Sequence, residues 1–178
     1  MLKRLFVSVL LPAKLRKQFM DYMSALPETK DLRIPDISTL HITVCFVGNV
    51  EEKEVPNVKK CLKESLKDAH RFHLALGKIV FAPLAGEQSM IWATFSGKGD
   101  FKKLAKEVCG NLDVNNKNAL VPHVTLARFN RPEIAQELTL KRHGIKDGLE
   151  VSSLELIESQ LRPSGPKYEV VGSYKLKA

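Results

Sequence analysis

No apolar run in the sequence approaches the roughly 20 residues that a membrane-spanning helix needs, which argues against a helical membrane protein. Cysteine is scarce: Cys45, Cys61 and Cys109 are scattered, with no CxxC spacing. An odd, dispersed set in a chain without a secretory leader implies reduced, mostly buried thiols, not a disulfide framework or a cysteine-based metal site. No GxSxG elbow occurs, so a serine hydrolase of that kind is excluded. The opening MLKRLFVSVLLPAKLRK has basic residues before an apolar run, as a signal peptide does. However, Leu5–Leu11 alternates like a strand, Pro12 ends it and no small-residue cleavage site follows. A cytoplasmic protein is the expectation.

The 178 residues suit one ordinary domain, or two small lobes sharing a core, and are enough to bury a sizeable interior. A hydrophobic fraction of 44% and a charged fraction of 27% are those of a globular protein. The formal net charge is +8 and the pI about 9.4. Such a field favours polyanions, nucleic acid first among them. Lysine-rich helical stretches such as KKCLKESLKD account for part of the charge as a solvated face.

Strand and helix signals alternate along the chain. Strands are expected over 4–11, 39–48, 72–83, 89–97, 120–129, 149–161 and 168–176, and helices over 13–26, 51–69, 100–112 and 132–144. Gly48-Asn49 is read as the stop of the second strand, PETKDLRIPDIS as a loop, and RPSGPK as the hairpin loop joining the last two strands. Two segments repeat one pattern. LHITVCFVGNVEEKEV and PHVTLARFNRPEIAQEL each run strand, His-x-Thr, apolar residues, short turn, helix. The expected fold is therefore α+β and bilobed: residues 1–178 form a single two-lobed domain. Its lobes, related by an approximate twofold axis, are antiparallel sheets with outer helices, and a central cleft carries the two His-x-Thr strands.

Residues two apart in a strand share a face, about 6.5 Å from each other. His41 and Thr43 therefore point together, as do His123 and Thr125, while Ile42, Val44, Val124 and Leu126 point the other way. Burying an imidazole or a hydroxyl without a partner costs about 1–3 kcal/mol. Two strands that accept this cost in the same pattern are best explained by a wet cleft. Five His and six Thr in a chain of this length give roughly 0.17 His-x-Thr tripeptides by chance, and two occur. Two imidazoles can act as base and acid near neutral pH. Two hydroxyls can hold the non-bridging oxygens of a phosphate between them, with attacking and leaving groups on opposite sides of phosphorus. The histidines lack a third ligand at useful spacing, so no metal site is expected, and no cofactor. Of the other histidines, His70 is read as surface, His73 as half-buried strand and His143 as the end of a helix. Trp92 is read as core.

LHITVCFVG and PHVTLARF resemble the paired motifs of the two-histidine phosphoesterase superfamily, with histidines 82 positions apart (123 − 41). More closely, the chain resembles the RNA 2',3'-cyclic phosphodiesterases, also called 2'-5' RNA ligases. The closing LELIESQLRPSGPKYEVV is similar to that family's C-terminal hairpin. The resemblance implies a metal-independent hydrolysis of a terminal 2',3'-cyclic phosphate to a 2'-phosphate. It assigns His41 as proton donor to the leaving 3'-oxygen, His123 as the base that activates water, and Thr43 and Thr125 as phosphate holders. Run in reverse, the same steps would join a 5'-hydroxyl as a 2'-5' linkage without ATP. Arg128 matches the arginine of the second motif and would balance phosphate charge. In a regular strand it points away from His123, so it must sit at the strand end or reach round.

The implied partner is RNA with a 2',3'-cyclic phosphate end, tRNA fragments being one candidate, and a monomer away from membranes is expected. No aromatic residue precedes the first motif in LRIPDISTLH, where the family often has one. Phe46, Phe129 and Tyr168 are candidates for stacking on the terminal base, against ordinary core placement. Two other functions fit the same residues. One is an RNA-end-binding protein with little catalysis; the other is a phosphoesterase for small cyclic nucleotides. Retention of both histidines and both threonines favours catalysis over binding alone.

Overall fold

Alternation of apolar residues along the first strand puts Leu5, Val7 and Val9 on one face, all buried in the main core, and Phe6 and Ser8 on the other. This is the period-two rule at work. In the computed structural model, which describes residues 1–83, 86–114, 121–162 and 165–178, the elements run in chain order β1 (Leu2–Leu10), α1 (Ala13–Met23), β2 (Leu32–Arg33), β3 (His41–Glu51), α2 (Val55–Ser65), β4 (Phe72–Ala82), β5 (Met90–Ser96), α3 (Asp100–Asn111), β6 (His123–Phe129), α4 (Ile134–Glu137), β7 (Leu149–Val151), β8 (Ser153–Arg162) and β9 (Gly165–Lys175). Among the described residues no helix is long and apolar enough to cross a membrane.

The strands form two antiparallel sheets. One has the order β3-β1-β8-β9 and the other β2-β6-β5-β4-β7. The expected α+β architecture of two related sheets is found, and its symmetry is visible in the connections. β1, α1 and β3 form one strand-helix-strand unit with β1 antiparallel to β3; β5, α3 and β6 form the other in the same way. The helices are exchanged: α3 lies on β3, α1 on β6. Leu15 and Phe19 of α1 and Phe101, Leu104 and Val108 of α3 join Ile42, Val44, Val124 and Leu126 in one continuous core. Each lobe thus depends on a helix that belongs to the other.

Several elements differ from expectation. The helix expected over 132–144 stops after Ile134–Glu137. Leu138 leaves the helical region with φ −95° and ψ 138°, and Leu138, Leu140 and Ile145 pack individually against the core. Tyr22 and His143 secure this strap, Tyr22 Oη donating to the Lys141 carbonyl at 3.2 Å and His143 Nε2 lying 3.1 Å from the Gly77 carbonyl. Tertiary contacts override helix propensity here, and His143 does not end a helix. The apolar run 149–161 divides at Ser152 into β7 and β8, which belong to different sheets. Gly48-Asn49 does not stop β3, because Gly48 takes φ +87° within a strand that continues to Glu51; a residue without a Cβ adopts this freely. The loop before the first motif supplies the short edge strand β2. The expected helix 51–69 begins with a 3-10 turn over Glu52–Glu54 and ends at Ser65. His73 is exposed rather than half-buried. The RPSGPK loop lies partly outside the described residues, and its flanks pair as Arg162 opposite Gly165.

Ile42 and Leu126 are fully buried beneath the two His-x-Thr strands. Ile42→Ala and Leu126→Ala are each expected to cost about 2–5 kcal/mol, read as a lowered urea midpoint at unchanged slope. A cost below about 0.5 kcal/mol for either would contradict the shared core.

Candidate active site

β3 and β6 lie in contact, each with the first residue of its motif at the strand start. Their burial patterns alternate as expected through the motif: His41, Thr43, His123 and Thr125 are half-buried, and Ile42, Val44, Val124 and Leu126 are fully buried. The alternation then breaks at the same place in both strands. Val44 and Cys45 are both buried, as are Leu126 and Ala127. The pairing register explains this. Val7 faces Cys45 while Ser8 faces Thr43, so Val44 is an extra residue in β3. Ile91 faces Ala127 while Trp92 faces Thr125, so Leu126 is an extra residue in β6. Each strand carries a β-bulge directly after its threonine.

The bulge reverses the phase of the residues beyond it. Arg128, expected to point away from His123, returns to the face of His123 and Thr125 without reaching round. Its charge acts on His41, His123 and Tyr168 alike. In β3 the corresponding position is Phe46, which is 52% exposed. Phe46 packs near Phe6, with ring centroids 6.3 Å apart. Of the other aromatic candidates, Phe129 is core at 8% exposure, and Tyr168 stands edge-on to His41 at 5.4 Å.

The two imidazoles are held alike. His41 Nδ1 lies 2.6 Å from the Thr39 carbonyl, and His123 Nδ1 lies 2.8 Å from the Val121 carbonyl. A carbonyl only accepts, so Nδ1 carries hydrogen in each ring and Nε2 is the nitrogen that exchanges a proton. His41 Nε2 is 3.1 Å from Thr43 Oγ1. Both histidines are pushed below their ordinary pKa. Burial is the main cause for His41, opposed by the Thr39 carbonyl and reinforced by the charges of His123 and Arg128. Burial also dominates for His123, opposed by the Val121 carbonyl and reinforced by Arg128.

Trp92 is not core. It stacks on His123, with ring centroids 3.7 Å apart and an interplanar angle of 18°. Its place on β5, opposite Thr125, puts it on the cleft face. A tryptophan in an alternating strand was visible in the sequence, but the pairing of β5 with β6 was not. On the other side His41 packs against Phe6 at 4.9 Å. Both imidazoles therefore have an aromatic wall. Ser8 occupies the register position opposite Thr43 that Trp92 occupies opposite Thr125. Ser8 Oγ and Trp92 Nε1 are both buried without a hydrogen-bond partner among the described residues.

Comparison with known proteins agrees with the fold. The family model described as the 2'-5' RNA ligase superfamily matches residues 14–162. A curated relative from Archaeoglobus fulgidus, named RNA 2',3'-cyclic phosphodiesterase, is 25% identical over 93% of this chain and 96% of its own. One of the same name from Methanocaldococcus jannaschii is 26% identical, covering 94% and 98%. Among solved structures, E. coli LigT complexed with NADP+ superposes with a TM-score of 0.84 at 19% identity over the full length of both chains. A second solved structure, TT0787 of Thermus thermophilus, superposes with a TM-score of 0.79 at 22% identity, over 98% of each chain. With the paired motifs, the exchanged helices and the family match over most of its length, the chain belongs to the 2'-5' RNA ligase superfamily.

Proposed function

We propose that the protein hydrolyses the terminal 2',3'-cyclic phosphate of RNA to a 2'-phosphate, with His41 as acid and His123 as base. The observation that carries this reading is the matched pair of carbonyl-anchored imidazoles on the two motif strands, with His41 Nε2 beside the Thr43 hydroxyl. The names of the curated relatives support the substrate class. A water gives its proton to His123 Nε2 as its oxygen bonds to phosphorus. The bond from phosphorus to O3' breaks, and His41 Nε2 delivers its proton to O3'. The pair ends with His123 protonated and His41 neutral, and exchange with solvent resets it. Thr43 and Thr125 hold the non-bridging oxygens, and Arg128 offsets their charge. Both proton transfers are assigned to imidazoles, so the scheme calls on no metal ion. With a 5'-hydroxyl in the place of water, the same two transfers form a 2'-5' linkage.

The first test is hydrolysis of a short RNA ending in a 2',3'-cyclic phosphate, in EDTA, with the product's phosphate position assigned. Turnover to the 2'-phosphate is expected, with His41→Ala and His123→Ala each losing at least about 100-fold. RNA binding without turnover would instead favour an end-binding protein.

The pH dependence has a definite sign. Activity needs His41 protonated and His123 neutral, and both pKa values lie below 6.5 in the free protein. The bell for kcat/KM is therefore expected to centre below about pH 6.5. Arg128→Gln removes a positive charge that lowers both values, so it should move the bell towards higher pH as well as weaken binding. A flat profile from about pH 5 to 9 would contradict the mechanism. Trp92→Ala, which removes the ring stacked on His123, is expected to lower kcat about tenfold or more with little change in KM. Trp92→Phe should recover most of the loss. Equal activity in all three would leave Trp92 no part in positioning the base.

A further inference from the structure

β2 brings a second arginine to the same face. Arg33 lies directly opposite Arg128 across the β2–β6 pair, and Leu32 lies opposite Phe129. Leu32 and Phe129 are both buried in the core, at 8% exposure each. Arg33 and Arg128 must then share the other face, which is the cleft. Two like charges directly opposite each other in an antiparallel pair destabilise it. Among the described residues, none of the ion pairs includes Arg33 or Arg128 to relieve this. Arg128 Nη1 lies 3.0 Å from a thioether, Met90 Sδ. Arg33 also reaches the opposite sheet: a Cβ built on Gly165, at the tip of the β8–β9 hairpin, would stand 3.4 Å from Arg33 Nη2. The Arg33 guanidinium therefore lies beside the β8–β9 hairpin of the other sheet.

We propose that Arg33 and Arg128 together form a two-phosphate clamp, in which Arg33 binds the internucleotide phosphate that precedes the terminal nucleotide. The inference rests on the phosphodiesterase reading and specifies its substrate as an RNA chain, not a free cyclic nucleotide. Arg128 acts on both histidines, so its charge is placed for the scissile phosphate. Arg33 stands one strand further out, a step of about 4.5–5.5 Å between paired Cα atoms, at the edge of its sheet. An anionic chain entering between them removes the repulsion that the pair carries when empty. The planar fork of arginine suits phosphate oxygens better than a point charge does.

The test compares two substrates: a dinucleotide ending in a 2',3'-cyclic phosphate, which has one internucleotide phosphate, and a nucleoside 2',3'-cyclic phosphate, which has none. Arg33→Gln is expected to lower kcat/KM about tenfold on the dinucleotide and to leave the nucleoside substrate unchanged within about twofold. The slope of log kcat/KM against log salt on the dinucleotide should flatten by about 0.7, the loss of one single-strand phosphate contact. Lys103→Gln on the back helix α3, which removes the same charge, should do neither. Equal losses on both substrates, or none on the dinucleotide, would overturn the clamp while leaving the phosphodiesterase reading intact. If the unaltered protein hydrolyses neither substrate, that reading fails and the clamp fails with it.

Discussion

The bulge directly after each threonine is the constraint on which the cleft depends. A regular strand would show His41, Thr43 and Cys45 on one face, and in the other lobe His123, Thr125 and Ala127. By inserting Val44 and Leu126, the two strands bury two consecutive apolar residues and return the next side chain to the cleft. The extra residue anchors the strand in the core at the point where its polar face must be rigid. It also determines what stands beside each His-Thr pair: an aromatic ring at Phe46 in one lobe, a guanidinium at Arg128 in the other. The approximate twofold axis thus gives two matched imidazoles and two unmatched neighbours, which suits a substrate with a phosphate at its centre and different groups on either side.

Rigidity comes from the exchange of helices. With α3 on β3 and α1 on β6, movement of one lobe disturbs the packing of the other. The imidazoles are further fixed by carbonyls two residues upstream and by rings that leave each little freedom to tilt. Burial and the charge of Arg128 lower both pKa values, and in the proposed mechanism a bound phosphate would oppose that shift.

Much of this was legible in the sequence, for identifiable reasons. His41, Thr43, His123 and Thr125 stood out because period-two alternation exposes polar intrusions in apolar strands. The first three helices were readable from their apolar spacing. The helix over 132–144 was not found, since Leu138 and Leu140 satisfy a helical pattern but pack as an extended strap. The run 149–161 looked like one strand because nothing in its alternation marks a change of sheet at Ser152. The face of Arg128 was misjudged because a bulge has no signal within its own strand; it is defined by the partner's register. Trp92 and Arg33 were missed as cleft residues for the same reason, since each is placed by the strand it pairs with.

The central claim is that one phosphorus sits between His41 Nε2 and His123 Nε2. A crystal structure with a nucleoside 2'-phosphate bound tests it most directly. The phosphate is expected within hydrogen-bond distance of both nitrogens, with Thr43 and Thr125 on its non-bridging oxygens and Arg128 beside it. A phosphate held by one histidine alone, with the other turned to a separate partner, would contradict the paired mechanism.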